Sequence, residues 1–166
     1  MNPVRSPLCW WQLQIYDGLV PLTGEYEPSP RKQTRDQVER YEATDGREAN
    51  TLAGTNWPVV IFTTRGRHSG KIRKFALMRV EHDSKYAMVA SMGGAPTHPE
   101  WYLNVTADPE ALMVQDGVER FDATARELGG EEREIWWQRA VEAYPPYAKY
   151  QERTERQIPV LLVERS

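Results

Sequence analysis

The sequence predicts an α+β protein built on a curled antiparallel sheet or barrel, with helices packed outside it. Three observations carry that prediction. Short β-branched and aromatic runs recur along the chain, bounded by Gly, Pro and Asp turn signals. Several of the connections between them are only two or three residues long, too short for the crossover that a parallel pair requires. Helical periodicity is confined to a few separate segments, and the resulting order, β-β-β-α-β-β-α-α-β, disfavours a doubly wound nucleotide-binding fold. At 166 residues the chain fits one domain, large enough to bury a core without staples.

Residues 1–30 are broken up by Pro3, Pro7, Gly18, Pro21, Gly24, Pro28 and Pro30 and read as an extended N-terminal arm; residues 31–166 read as the domain. From about Thr34, Val38 and Tyr41 among charged neighbours predict a short helix, which stops near Asp45-Gly46. Pro58 to Thr64 is a short β-branched run and reads as a buried strand. Residues 72–80 read as a second strand and Tyr86 to Ser91 as a third, joined through His82-Asp83-Ser84 in an expected antiparallel hairpin. Gly93-Gly94 ends that strand. Pro99 then suits the first turn of a helix that closes at Asp108-Pro109. Ala111 to Gln115 and Val118 to Thr124 are expected strands joined by the two residues Asp116-Gly117. Glu131 to Ala143 reads as a helix led by acidic residues, with Trp137, Ala140, Val141 and Tyr144 at helical spacing. A second helix is expected after Pro145-Pro146, and Ile158 to Val163 as the last strand.

A net charge of −3 gives the whole chain no electrostatic pull toward nucleic acid. The lone Cys9 rules out an intrachain disulfide and suits a reducing compartment. No apolar run approaches the roughly 20 residues needed to span a bilayer. The expectation is a cytoplasmic protein. Leu8, Trp10, Trp11, Leu13 and Ile15 still leave room for a peripheral membrane contact or a partner surface. Oligomeric state is not legible.

Three segments could carry chemistry. Thr63 to Lys74 holds Arg65, Arg67, Lys71, Arg73 and Lys74 together with His68, within an acidic chain. Its Gly66 and Gly70 let backbone approach a ligand closely, and guanidinium forks match phosphate or carboxylate geometry. An anionic small molecule or a merely solvated basic loop would both account for it. The glycine spacing is wrong for a P-loop, and Ser69 stands one place too late for a nucleophile elbow. His68, His82 and His98 lack metal-ligand spacing, so no metal is expected. Val89 to Asn104 runs from a strand end through Gly93-Gly94 into a helix, either a seat for a flat ring or an ordinary turn. Tyr144, Tyr147 and Tyr150 fall at spacings of three, which places them on one side of a helix that runs through them. They suggest a polar-edged aromatic wall or ordinary core packing.

Taken together and in order, these segments resemble the deazaflavin-dependent nitroreductase family of actinobacteria, a split β-barrel group of coenzyme F-420-dependent reductases related in fold to flavin reductases and FMN-binding proteins. The similarity runs from roughly Val38 to Glu164. It is carried by Val59 to Arg67, Ser69-Gly70-Lys71, Val89-Ala90-Ser91 with Gly93-Gly94-Ala95-Pro96, Pro99 with Trp101-Tyr102, and Tyr144-Pro145-Pro146-Tyr147.

The resemblance implies that Arg67, His68, Ser69 and Arg73 grip the cofactor's phosphate and anionic tail. It implies that Lys74, Phe75, Ala76, Leu77 and Met78 line the deazaflavin and its linker, and that Val89, Ala90, Ser91 and Met92 lie beside the ring. Trp101, Tyr102, Leu103 and Asn104 would close the site, and Tyr144, Tyr147 and Tyr150 would border the substrate. Some relatives carry Lys where His68 and Met92 stand here. The implied reaction is hydride transfer from reduced F-420 to a quinone, an activated enone or a nitroaromatic compound, with Tyr147 or, second, Ser91 supplying a proton or a hydrogen bond. An FMN-dependent reductase of the same fold and a non-catalytic deazaflavin carrier are the alternative readings at this point.

Overall fold

The computed structural model describes residues 22–166. The expected membrane or partner contact of Leu8 to Ile15, and most of the expected arm, lie outside these residues. Seven strands form one antiparallel sheet: β1 (Val59–Arg65), β2 (Ile72–Met78), β3 (Glu81–His82), β4 (Lys85–Val89), β5 (Leu112–Asp116), β6 (Glu119–Glu127) and β7 (Val160–Arg165). Their spatial order is β2-β1-β5-β6-β7-β4-β3. The sheet curls until β2 and β4 approach each other without pairing, so the barrel is split along that seam. Helices α1 (Lys32–Ala43), α2 (Glu100–Ala107), α3 (Gly130–Ala143) and α4 (Pro146–Glu152) pack around it.

The inside of the curl is filled by Val60, Phe62, Met88, Val114, Leu161 and Val163, all but excluded from solvent. A second cluster, with Trp136, Ala140 and Ile158, seats α3 against the outer face of β4 and β7. α1 lies against β2, and its Val38 and Tyr41 cluster with Val59 and Ile61 of β1 and with Ala76 and Met78 of β2. β1 is therefore buried on both faces, and its continuous apolar run reflects that.

Two expectations need correction. β2 does not pair with the third predicted strand; it pairs with β1, while β4 pairs with β7. The tight turn at Asp83 and Ser84, both in the left-handed region (φ 51° and 61°), closes the short β3–β4 hairpin instead. The chain leaves β2 at Arg79-Val80 to cross the seam, and a turn signal alone cannot report which strand it serves. The β5–β6 hairpin forms as expected but one residue later. Asp116 faces Glu119, so the two-residue loop is Gly117-Val118, with Gly117 at φ 62°.

The described part of the arm has a definite place. Ile72 donates its N–H to the Glu25 carbonyl at 2.8 Å, and Glu27 donates to the Ile72 carbonyl at 2.9 Å. Thr23 to Glu27 thus forms a strap along the first residue of β2. Beyond Ile72, the outer edge of β2 has no strand partner among the described residues.

Candidate functional site

The seam holds a cavity of about 720 Å3, within the range of small-molecule and cofactor sites. One end is the β1–β2 hairpin loop, one wall is β2 itself, and the far end is a tyrosine cluster made by Tyr144, which follows α3, and by Tyr147 and Tyr150 on α4. Six consecutive β2 residues, Arg73 to Met78, all line it. A strand points alternate side chains to opposite faces, so lining by every residue means that the cavity runs along the strand's outer edge, which beyond Ile72 pairs with no other described strand. The edge position of β2 makes this possible.

The hairpin loop is held from within. Gly66 donates to the Lys71 carbonyl and Gly70 to the Gly66 carbonyl, each at 2.8 Å. Arg65 Nη1 donates to the Gly70 carbonyl at 3.2 Å. Gly70 takes the left-handed backbone at φ 69° that favours glycine, and a Cβ on Gly66 would stand 2.8 Å from Ser69 Oγ, so that hydroxyl would have to turn aside. Asn104 Oδ1 on α2 accepts from the Arg67 N–H at 3.1 Å and ties the loop to the helix across the cavity mouth.

The loop's cations are not bare. Arg67 Nη1 meets Glu100 Oε2 at 2.7 Å, Lys71 Nζ meets Glu25 Oε1 at 3.2 Å, and Arg73 pairs with Glu27. Lys74 Nζ lies 2.6 Å from Glu42 Oε1 and 5.0 Å above the Tyr26 ring. Glu100 is 79% exposed and held by one contact, so it can swing aside; Glu27 sits on the strap and is less free.

At the other end, the Tyr144 and Tyr147 ring centroids are 4.9 Å apart, and Tyr150 lies 6.1 and 6.3 Å from the two. Tyr144 and Tyr150 share a hydrogen bond of 3.0 Å between their hydroxyls. Burial, with that bond to Tyr150, pushes the Tyr144 phenol up to about 12. Burial also pushes Tyr147 well above the usual phenol range, and the nearby Tyr144 and Tyr150 add to it. Both stay protonated donors at neutral pH. Among the described residues no hydrogen bond engages the Tyr147 or the Ser91 hydroxyl, and both residues line the cavity.

Of the residues singled out in the sequence, Arg67, His68, Ser69, Arg73 to Met78, Val89, Ser91, Met92, Trp101, Asn104 and the three tyrosines come together around this one space. Ala90, Tyr102 and Leu103 do not line it. Ala90 alternates away from Val89 and Ser91 into the core. Tyr102 turns its hydroxyl to Glu127 Oε2 at 2.7 Å and packs at a tilt against His98, ring centroids 4.6 Å apart. Leu103 follows it away from the cavity on α2. Ser29, Arg31, Thr34 and Leu52, at the start of α1 and in the loop before β1, line the cavity without having been expected to. Their side chains match no binding pattern, and only the packing of α1 on β2 brings most of them there. Among the described residues no group of His, Cys, Asp and Glu could hold a metal ion, and no helix is long and apolar enough to cross a membrane.

A family model described as F-420H(2)-dependent quinone reductase matches residues 33–165. The chain belongs to that family. It is accordingly an oxidoreductase that depends on reduced F-420, and the FMN-dependent and non-catalytic readings give way. An F-420H(2)-dependent quinone reductase of Mycobacterium tuberculosis is 32% identical over 128 residues, covering 75% of this chain and 85% of that protein. A solved F-420-H2-dependent reductase, designated FDR-A, is 63% identical with a TM-score of 0.61, over 64% of this chain and 94% of that one. Another solved relative, described as a domain-swapped dimer, is 55% identical with a TM-score of 0.64, over 82% of this chain and all of that one. The antiparallel split barrel of this F-420H(2)-dependent quinone reductase family member agrees with that of its solved relative FDR-A.

The residues present fit the cofactor. A deazaflavin with a phosphate-bearing acidic tail needs a flat, largely apolar slot continuous with a basic end. The Phe75–Met78 edge and the glycine-closed hairpin form one such space.

Proposed function

We propose that the chain transfers a hydride from reduced F-420 to a quinone, and that activated enones and nitroaromatic compounds are further acceptors of the same site. One observation carries this reading: a single cavity joins the basic hairpin to the tyrosine wall along the open edge of β2. In this reading Arg67, His68, Ser69 and Arg73 hold the phosphate and tail. Lys74 to Met78, Val89, Ser91 and Met92 border the ring and linker, and Trp101 and Asn104 cover the mouth. Ala90, Tyr102 and Leu103 support that wall from behind. Tyr144, Tyr147 and Tyr150 border the acceptor.

The bound reduced deazaflavin supplies the hydride, and the protein must orient the partners and manage one proton. A quinone that takes up a hydride becomes a hydroquinone oxyanion, which needs a proton or a strong donor. Tyr147 Oη is the first candidate and Ser91 Oγ the second, since neither hydroxyl is committed to another described residue. The raised Tyr147 phenol is a weak acid, so it serves best as a hydrogen-bond donor to the developing oxyanion, with solvent completing the protonation.

Titration with oxidised F-420, followed by its fluorescence, tests the cofactor site. Replacing Arg67 and Arg73 together with alanine should weaken binding by at least about tenfold, since charge-assisted bonds contribute about 1.5–3 kcal/mol each. Unchanged affinity would remove the clamp. Tyr147→Phe should fold normally, because its hydroxyl bonds to no described residue. It should lower kcat with a quinone by roughly 10–100-fold while leaving F-420 affinity unaltered; full turnover would take the proton role from Tyr147.

A further inference from the structure

Arg156 lies between α4 and β7, outside every segment the sequence singled out. Its Nε donates to the Ala95 carbonyl at 2.8 Å, Nη1 to the Ala90 carbonyl at 3.0 Å, and Nη2 to the Ser91 carbonyl at 2.9 Å. Nη1 also meets His98 Nδ1 at 3.2 Å. One planar cation therefore gathers three carbonyls from the stretch that leaves β4 and carries Ser91 and Met92 on the cavity wall. A lysine, with its donors fanned from a single point, could not reach all four partners at once.

That stretch needs holding. Met92, Gly93 and Gly94 are all left-handed, at φ 46°, 65° and 81°. A non-glycine residue in that region persists only where its surroundings over-determine it. Arg156 fixes the stretch from one side, while α4 fixes it from another: a Cβ on Gly94 would meet the Tyr150 carbonyl oxygen at 2.5 Å. Burial of the guanidinium works against its charge and lowers its pKa, a cost that a solvated surface arginine would not bear.

We propose that Arg156 is a positioning residue for hydride transfer: its fork sets the Ser91–Met92 wall at a fixed distance from the tyrosines of α4. The role rests on the deazaflavin site proposed above. Arg156 lines no part of the cavity and acts through the main chain it gathers.

The test compares wild type with Arg156→Lys in three measurements: affinity for oxidised F-420 by fluorescence, kcat and KM with menadione, and the isotope effect with F-420 deuterated at the transferred position. The expected result is a fall in kcat on the order of tenfold or more, because a displaced wall misaligns donor and acceptor. Affinity should stay within about twofold, the distant phosphate loop being untouched, and the isotope effect should grow. An unchanged kcat overturns the proposal. So does a fall in kcat matched by an equal fall in F-420 affinity, which marks general loosening. Should Arg156→Lys not fold, His98→Ala removes one of the four contacts and must show a smaller loss of kcat at unchanged affinity; no loss there overturns the proposal too. A wild-type protein that fails to bind oxidised F-420 sinks the cofactor site itself, before any variant is made.

Discussion

Glu25, Glu27 and Glu100 occupy the cations that an anionic tail would need, so ligand binding at the hairpin is an exchange of partners. Arg73 and Glu27 are both about one-third exposed, and pairs so placed contribute little on their own. Glu27→Gln keeps the strap's backbone bonds and removes the competing charge. Affinity for oxidised F-420 at low salt should therefore rise about two- to fivefold; weaker binding would mean that Glu27 holds Arg73 in its working pose. At this scale the sequence was informative about cations and silent about their counter-ions. Arg67, Arg73 and the glycines stood out because they cluster. Glu25 and Glu27 lie some 45 residues away in an irregular stretch, and only the pairing of the strap with Ile72 brings them to the loop.

Helices and hairpins were legible where turn chemistry and periodicity agreed, as in α3 and, to within one residue, at the β5–β6 hairpin. The partner of β2 was not, because its pairing is decided by how the whole sheet curls. The turn Met92–Gly94 sits between these cases: Gly93-Gly94 announced a break but not its dependence on α4. Gly94→Ala puts a methyl group against the Tyr150 carbonyl and Arg153 Cβ, both closer than 3.0 Å. The destabilisation should exceed the roughly 1–2 kcal/mol that left-handed backbone alone costs an alanine. Thermal unfolding would register this as a lowered Tm, and the KM for a quinone should rise as α4 is pushed away. A Tm equal to that of wild type would show that α4 gives way freely.

The molecule as a whole carries several phenols whose protonation favours the folded state. Tyr144 and Tyr102 are pushed from 10.0 up to about 12, and Tyr86 and Tyr147 beyond that. Each folded pKa is raised, so this contribution is intact below about pH 10 and is lost as the pH climbs toward 12 and above. Denaturant midpoints should stay level from neutral pH to about 10 and then drop steeply; a level midpoint up to pH 12 would contradict the burial of these rings.

Beyond Ile72 the border of β2 pairs with no other strand among the described residues. A row of main-chain donors and acceptors so placed is a template on which another extended chain can settle. Arg73 and Lys74 are paired with Glu27 and Glu42, and Phe75 to Met78 carry no charge to repel such a guest. A small molecule lodged there guards solubility as well as serving chemistry, so preparations stripped of it should clump sooner on gentle warming than those kept saturated.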